Sequence, residues 1–235
     1  MADDVSRFEA VVLDLFGTLV YEFPRADWDA WLQTAAAAVE ADAHAFRAAW
    51  EATAIERQTG RAGDIEENLR TIAARAGAWP SDAQIAEALE VRAALYRKWF
   101  VARPGAEEIL RELRRRRVPT ALISMCAPDT PALWRASGLA ELVDVEVFSC
   151  EAGMRKPEPE IYLLACERLG VEPTSCLYVG DGSYGELSGA TAVGMYAVLI
   201  RDPAEAEIEA LRPEAEEWEG ATIADLREIA GLLAT

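Results

Sequence analysis

An acidic residue near the start of the chain, Asp14, ends the apolar run Val11-Val12-Leu13 and precedes a turn that contains Gly17. A carboxylate in this position can act as a nucleophile or as a metal ligand. The backbone N–H groups of the turn that follows can bind an anion. Asp14 is therefore the first candidate catalytic residue.

Four further side chains with useful chemistry follow apolar runs later in the chain. Ser124 ends a strand-like run, and its hydroxyl can donate to a phosphate oxygen. Lys156 precedes a predicted helix, where its ammonium can neutralise a nucleophile and a phosphoryl group together. Asp181 ends another apolar run, and Glu186 follows five residues later. Two acids at this spacing suit Mg²⁺, which prefers oxygen ligands.

Each of these residues has an ordinary structural interpretation when it is considered alone. An Asp at the end of a strand is often a helix cap or a turn former, and a lysine before a proline is usually just solvated. The structural interpretation weakens when all of them follow predicted strands of the same sheet. The set as a whole therefore favours a functional site.

The elements that must position these residues alternate after Pro104-Gly105, where helix-like stretches precede short apolar runs. The predicted strands are residues 11–14, 119–124, 144–148, 175–180 and 196–200, and the predicted helices between and after them are 105–116, 130–137, 158–169, 186–193 and 223–233. Such alternation predicts βαβ units and a parallel sheet. An acidic linker is expected at 202–220.

Residues from about 25 to 100 have a different pattern, rich in Ala, Glu, Arg and Trp with apolar positions at helical spacing. Helices are predicted near 26–42, 44–58, 64–76 and 81–100. The fold class is thus α/β, with a doubly wound, Rossmann-like parallel sheet as core (1–20 and 102–235) and a smaller all-helical cap (21–101). Ligands bind outside the carboxyl ends of the strands in such sheets, which would gather the candidate residues in one place.

Composition excludes several other classes of protein. The net charge of −18 argues against a nucleic-acid-binding surface, which needs clustered cations. The basic run Arg114–Arg117 ends a predicted helix, where it complements the helix dipole. No apolar run is long enough to span a membrane, and the acidic N-terminus lacks a signal-peptide core. We expect a cytoplasmic protein with a small-molecule substrate; its oligomeric state is not indicated.

The motifs that carry these residues resemble those of the haloacid dehalogenase-like hydrolases. The string DLFGTL is similar to the first motif of that family, and Ser124 matches the second. The stretch RKPEPEIYLLACERLGV resembles the third motif, with Lys156 as its lysine. YVGDGSYGELSGATAVGM resembles the fourth, with Asp181 and Glu186 as its acids. A helical cap between the first and second motifs is also a pattern of the family.

The resemblance implies a mechanism in which Asp14 attacks the substrate and forms an ester that water hydrolyses, with Ser124 and Lys156 as further catalytic residues. In the phosphatase branch Mg²⁺ would be held by Asp14, the backbone carbonyl of Phe16 and Asp181, with Glu186 in support. The resemblance therefore predicts a Mg²⁺-dependent phosphatase of a small phosphorylated metabolite.

One departure from the family pattern keeps other functions open. Phosphatases of the family usually carry a second Asp two positions after the nucleophile, as a general acid/base, and this chain has Phe16 there. Dehalogenases of the family also lack that Asp, so a 2-haloacid dehalogenase-type hydrolase is one alternative. A non-catalytic binding protein on the same fold is another. Gly180-Asp181-Gly182 with Glu186, by contrast, resembles the metal-binding form of the fourth motif.

The cap is expected to carry much of the substrate specificity. Arg57 and Arg61 flank the break after the second predicted cap helix, and arginines there could bind a carboxylate or a phosphate. The alternative is that both are solvated. The predicted substrate-binding residues are Leu15, Phe16, Thr18, Met125, Arg57 and Arg61.

Overall fold

The computed structural model describes residues 7–201 and 212–233, and its centre is a six-stranded sheet. The strands are β1 (Ala10–Leu13), β2 (Thr120–Ser124), β3 (Val145–Phe148), β4 (Cys176–Gly180), β5 (Tyr196–Ile200) and β6 (Ala221–Ile223). They are all parallel, in the order β3-β2-β1-β4-β5-β6. This order defines a doubly wound sheet whose direction of winding reverses beside β1. Every residue of β1, β2 and β4 is buried, as expected of strands covered on both faces.

A group of helices lies between β1 and β2 in sequence: α1 (Arg25–Ala38), α2 (Ala43–Ala52), α3 (Ala54–Gln58), α4 (Ile65–Arg75) and α5 (Asp82–Trp99). They enclose an apolar cluster of their own, which includes Trp31, Phe46, Trp50 and Leu69. Capping boxes start α4 at Asp64 and α5 at Ser81, where side chains satisfy N–H groups that the helix leaves unpaired. We call these helices the cap.

The remaining helices cover the two faces of the sheet. They are α6 (Ala106–Arg116), α7 (Thr130–Arg135), α8 (Ser149–Ala152), α9 (Pro159–Leu169), α10 (Glu186–Ala192), α11 (Pro213–Glu217) and α12 (Ile229–Leu232). One apolar layer packs α6 and α12 against Val11 and Leu13 of β1, and the other packs α9 and α10 against Ala10 and Val12. The alternate residues of β1 thus face opposite layers, which fixes its register.

The predicted fold class is confirmed, while several element boundaries were wrong. The helix predicted at 44–58 is broken at Thr53, whose hydroxyl donates to the carbonyl of Ala49 at 2.8 Å. The predicted closing helix begins too early, because residues up to Ile223 form β6. In the predicted linker, residues 202–211 lie outside the described part of the chain, and α11 occupies 213–217. The predicted division into core and cap at residues 20/21 and 101/102 stays a prediction.

Among the described residues, no helix is both long and apolar enough to cross a bilayer.

Candidate active site

Three acidic side chains converge at the carboxyl edge of the sheet, beside the point where the winding reverses. Asp14 follows β1, Asp181 follows β4, and Glu186 begins α10. Each offers a carboxylate oxygen that lies within 4.8 Å of the other two, and all three residues are buried. The sequence separates Asp14 from the other two by more than 160 residues, and it is the adjacent pairing of β1 with β4 that joins them.

The ammonium of Lys156 lies between two of these carboxylates. Lys156 Nζ donates to Asp14 Oδ1 and, at 2.5 Å, to Glu186 Oε2, although only 1% of its side chain is exposed. Burial alone would lower the pKa of this lysine, but the charges of Asp14 and Glu186 outweigh burial and raise it. Lys156 is therefore charged at neutral pH and neutralises part of the acidic cluster.

Asp14 itself is 7% exposed. Burial raises the pKa of its carboxyl, the Lys156 ammonium lowers it, and the charge of Asp181 raises it again. The backbone N–H of Leu15 also hydrogen-bonds this carboxylate and favours its ionised form. A buried carboxylate with so few donors is little solvated, which suits a nucleophile.

Both carboxylate oxygens of Glu186 accept hydrogen bonds from the protein. Its Oε1 accepts from the backbone N–H of Gly182 at 3.0 Å, and its Oε2 accepts from the Tyr178 hydroxyl at 2.6 Å in addition to Lys156. Burial and the charge of Asp14 raise its pKa to about 8, against the lowering effect of Lys156. Because both of its oxygens have protein partners, Glu186 is better placed to orient Lys156 than to bind a ligand by itself.

Asp181 keeps one oxygen without a hydrogen bond. Its Oδ1 accepts from the N–H of Ser183 at 2.9 Å, but its Oδ2 is buried without a hydrogen-bond partner. Arg212 Nε lies 2.7 Å from Oδ2 in an ion pair whose angles do not satisfy a hydrogen bond. A Cβ atom on Gly17 would collide with Asp181 Oδ2. A glycine at position 17, which also has a positive φ of 75°, is therefore required for this close approach.

The segment that carries Arg212 is fixed to the core by its neighbour in sequence. Glu214 accepts hydrogen bonds from the backbone N–H groups of Leu187 at 2.9 Å and Ser188 at 2.7 Å, at the start of α10. A carboxylate stabilises this end of a helix because it meets both unpaired N–H groups and the positive end of the helix dipole. The guanidinium of Arg212 is thereby kept at the edge of the acidic cluster.

The donor set meets the requirements of a hard divalent cation. A buried carboxylate oxygen without a hydrogen bond is costly unless a partner completes it, and Asp181 Oδ2 is such an atom. It shares a cluster of oxygen donors with Asp14 and Glu186. Oxygen ligands at close range are the ligands of Mg²⁺ in proteins. The residues present are thus suited to this ion, with Asp14 and Asp181 as the residues that could hold it.

A cavity of about 570 Å³ opens from the acidic cluster towards the cap. Its core side includes Asp14, Lys156 and Glu186, and its cap side includes Trp28 and Trp50. This is the size range of a pocket for a small molecule. Its position between core and cap agrees with a small-molecule substrate.

Three of the predicted substrate-binding residues line this cavity, namely Phe16, Met125 and Arg57. Leu15, Thr18 and Ser124 are buried outside its wall, and the Ser124 hydroxyl interacts with the Cys126 thiol. Arg61 is exposed and donates to the Thr59 hydroxyl at 2.9 Å, away from the cavity. The interpretation of Arg61 as solvated, rather than as an anion receptor, agrees with this placement.

Arg57 is the cap cation that the cavity presents without an acidic partner in contact. Its guanidinium lies 3.6 Å from the centre of the Trp50 ring and donates to the Trp50 carbonyl and the Thr53 hydroxyl, both at 2.5 Å. Burial and the charge of Arg92 lower its pKa to about 10. Arg92, in contrast, forms a two-pronged ion pair with Asp129. Arg57 is therefore available to an anionic ligand.

Three residues of the site were missed in the sequence. Tyr178 lies inside a buried strand and looks like an ordinary core aromatic. Arg212 and Glu22 belong to segments without a motif, and only the fold brings them to Asp181 and Asp14. Assigning Arg212 and Glu22 to the site from sequence would have required knowledge of how the loops that carry them fold.

The chain belongs to the haloacid dehalogenase-like hydrolase family, whose profile matches residues 8–194. It is 33% identical over 138 residues to a phosphoserine phosphatase of Thermus thermophilus, a match that covers 57% of this chain and 51% of that protein. The matched segment thus spans about half the length of this curated relative.

Solved structures resemble the chain over nearly its whole length. A phosphatase of the same family from Thermococcus onnurineus has a TM-score of 0.66 at 23% identity, with 95% of this chain and 97% of that chain covered. A dehalogenase has a TM-score of 0.61 at 25% identity, with 100% of both chains covered. The chain thus shares its fold with a phosphatase and with a dehalogenase.

Proposed function

We propose that this hydrolase is a Mg²⁺-dependent phosphatase of a small phosphorylated molecule, with Asp14 as its nucleophile. The observation that carries the proposal is the buried cluster of three carboxylates, in which Asp181 Oδ2 has an ion pair with Arg212 but no hydrogen bond. The charge of Asp181 raises the pKa of three neighbouring carboxyl groups, those of Asp14, Glu22 and Glu186, while the cations beside this cluster are Lys156 and Arg212. Such an excess of acid favours a bound cation.

Magnesium, when bound, would supply positive charge that stabilises the phosphoryl group. The chain's own residues do the rest. Asp14 attacks the phosphorus atom and forms an aspartyl phosphate, while the charge of Lys156 favours the ionised form of Asp14 and stabilises the charge that builds up on the phosphoryl oxygens. Glu186 Oε2 accepts hydrogen bonds from both Lys156 and the Tyr178 hydroxyl, and so holds Lys156 in place.

The cap side of the cavity supports a substrate with an anionic group at its far end. Arg57 has no acidic partner in contact and stands beside Trp50 in the cavity wall. A carboxylate or second phosphate could accept its N–H groups. The relative from Thermus thermophilus is named as a phosphoserine phosphatase, and phosphoserine carries both a phosphate and a carboxylate. We therefore propose a phosphorylated small acid as the substrate class.

A second candidate function, the hydrolysis of a 2-haloacid, is supported by Phe16. Halide leaves without a proton, so a dehalogenase does not need an acid at this position. The likeness to a dehalogenase over the full chain agrees with this. The acidic cluster favours the phosphatase. Asp181 adds a third carboxylate that could hold a metal ion, and a dehalogenase needs no metal.

A substrate panel separates the two functions. The protein is assayed against phosphorylated metabolites and 2-haloacids, with Mg²⁺ and with EDTA. We expect phosphate release that requires Mg²⁺ and that is lost in Asp14→Asn, whose amide cannot form the covalent ester. Halide release that persists in EDTA would overturn the phosphatase in favour of the dehalogenase. Turnover by Asp14→Asn would overturn both.

A further inference from the structure

Hydrolysis of an alkyl phosphate calls for a proton on the oxygen of the leaving group, and the residue at the usual position for that task cannot supply one here. Phe16 instead packs its ring against three aromatic rings, with centroid distances of 5.2 Å to Phe23, 5.9 Å to Phe100 and 6.4 Å to Tyr96. The ring therefore belongs to an apolar contact between core and cap. The proton has to come from another group that reaches the cavity.

The carboxyl groups in the described cavity wall belong to five residues, Asp14, Glu22, Asp29, Glu51 and Glu186. Asp14 is the nucleophile, and Glu186 has both oxygens occupied. Asp29 and Glu51 are each ion-paired with Arg47, at 2.7 Å and 3.9 Å respectively. Only Glu22 is left without a cation in contact.

Backbone contacts tie the segment before Glu22 to the turn that follows Asp14, and both residues line the same cavity. Val20 forms bridges with Phe16 on one side and Ala102 on the other, and its carbonyl accepts from Gly17 N–H at 2.8 Å. Tyr21 N–H donates to the Val101 carbonyl at 3.2 Å. The residue just before Glu22 is thus tied to Val101, in the segment that follows the last cap helix.

The side chain of Glu22 has one oxygen engaged. Its Oε1 accepts from the backbone N–H of Phe23 at 2.8 Å, and Phe23 in turn packs on Phe16. Burial, followed by the charge of Asp181, raises the pKa of Glu22 to about 7, while the Phe23 hydrogen bond and Arg212 lower it and Asp14 raises it. An acid is most effective when its pKa lies near the working pH.

We propose that Glu22 is the general acid and base of the reaction, in place of the missing acid at position 16. This assignment rests on the proposed phosphatase function. As Asp14 attacks phosphorus, the bond from phosphorus to the leaving oxygen breaks, and that oxygen takes its electron pair and the proton of Glu22. The products of this step are an alcohol, an aspartyl phosphate and the Glu22 carboxylate.

The second step restores the starting state. Water attacks the phosphorus of the aspartyl phosphate and gives a proton to the Glu22 carboxylate. The bond to Asp14 breaks, phosphate leaves, and Glu22 is again protonated. The same residue therefore serves both steps. Its loss should slow the first step to an extent that depends on the leaving group, and the second step equally for all substrates.

The test compares Glu22→Gln with wild type on a series of phosphate esters whose leaving groups range from alkyl alcohols to acidic phenols. Glu90→Gln on α5, exposed and paired with Arg97, is the matched control. We expect kcat/KM of Glu22→Gln to fall about 10²–10⁴-fold for alkyl esters, the usual contribution of a positioned acid. For the most acidic phenols kcat/KM should change little, since a phenolate leaves without a proton.

Rapid kinetics add a signature that a structural role for Glu22 would not produce. In Glu22→Gln, acidic aryl phosphates should release phenol in a burst, because hydrolysis of the aspartyl phosphate loses its base and becomes rate-limiting. Glu22→Asp, which keeps the acid on a shorter side chain, should recover part of the alkyl activity. Thermal unfolding of each variant checks the fold.

The outcomes separate this assignment from the function on which it rests. Equal losses for alkyl and aryl esters, or no loss at all in a folded Glu22→Gln variant, would overturn Glu22 as the acid and leave the phosphatase in place. Failure of the wild type to turn over any ester of the series overturns the phosphatase, and the assignment with it.

Discussion

Lys156 donates a hydrogen bond to the carboxylate of Asp14 across 142 residues of sequence. Both groups are buried, so each charge is stable chiefly because the other is present. The pair lies at the carboxyl edge of the sheet and joins the third motif, which carries Lys156, to the first, which carries Asp14. It links the integrity of the fold to the ionisation of the proposed nucleophile.

Lys156→Met should therefore destabilise the protein by about 3–5 kcal/mol, the usual cost of removing one partner of a buried ion pair. Lys98→Met is the matched control, because Lys98 forms an exposed pair with Asp27 worth about 0–1 kcal/mol. Denaturant unfolding measures both. Asp14→Asn combined with Lys156→Met should cost less than the sum of the two single changes; additive costs would mean that the pair does not couple.

Arg57 and Arg61 provide a matched test of the cap side of the cavity. Arg57 lies in the wall, whereas Arg61 is exposed outside it. Arg57→Ala should raise KM about tenfold or more for a phosphorylated acid and much less for a substrate without the second anion. Arg61→Ala should leave both unchanged. Arg57→Lys retains the charge without the planar guanidinium, so its KM for the phosphorylated acid should lie between those of wild type and Arg57→Ala. An equal rise in KM for both substrates would remove Arg57 as the anion receptor.

Much of this site follows from sequence, for a simple physical reason. The carboxyl ends of parallel strands meet at one edge, so a residue that follows an apolar run can be assigned to that edge without knowledge of the loops. Asp14 and Asp181 carry this signal, while Lys156 and Glu186 lie in the segments that follow predicted strands. The structure brings the four together. Phe16, as a substitution within a recognisable motif, could also be read directly.

The residues that sequence missed are those whose position depends on packing. Glu22 follows no strand and reaches the cavity because Val20 bridges two segments that are far apart in sequence. Arg212 depends on the capping of α10 by Glu214. The strand β6 has only three residues, too few for an alternating pattern to stand out. Arg57 and Arg61 looked alike in sequence, and only the turn of α3 separates the buried one from the exposed one.

The ion pair of Arg212 with Asp181 should oppose the binding of Mg²⁺. The guanidinium lies against the oxygen that has no hydrogen bond, and a cation bound there would repel it. Arg212→Ala should tighten Mg²⁺ binding about tenfold, equivalent to about 1.4 kcal/mol. Asp181→Ala should abolish it. Arg201→Ala, which removes a surface pair with Glu216, is the control. Isothermal titration calorimetry with Mg²⁺ alone measures the affinity of each variant. Weaker binding in Arg212→Ala than in wild type would mean that Arg212 organises the site instead.

The elevated pKa of Glu22 predicts how stability depends on pH in the metal-free protein. The pKa of Glu22 rises from 4.5 to about 7 on folding, chiefly by burial and the charge of Asp181. Between these values the folded state holds a proton that the unfolded state has released, so this group makes stability fall as pH rises. The loss is about 3 kcal/mol at most, since one pKa unit corresponds to about 1.4 kcal/mol.

Glu22→Gln removes this titration, so the variant should become more stable relative to wild type as pH rises from 4.5 to 7. Denaturant unfolding in EDTA across that range measures the difference between the two proteins. The other charges that act on Glu22 are Asp14, Asp181 and Arg212, and they are common to both proteins. A difference that is constant with pH would show that Glu22 has an ordinary pKa in the folded state.

Phe16 offers the last test, because an acid can be returned to the position where related phosphatases carry one. Phe16→Asp loses the ring contacts with Phe23 and Phe100. Because the ring is partly buried and lines the cavity, the change should cost less than the about 3–5 kcal/mol of such a change in a packed core. Its new carboxyl would also lie beside Asp14 and raise one of the two pKa values. Phe16→Ala makes the same cavity without the acid and is the control for both effects.

The informative background is Glu22→Gln, in which the proposed proton donor is missing. There, Phe16→Asp should raise kcat/KM for an alkyl phosphate relative to Phe16→Ala, while kcat/KM for an acidic aryl phosphate stays equal in the two double variants. In the presence of Glu22, the same pair should differ much less, because an acid is already supplied. An alkyl rate that Phe16→Asp raises equally with and without Glu22 would mean that Glu22 never delivered the proton, and that the wild type releases its leaving group unprotonated.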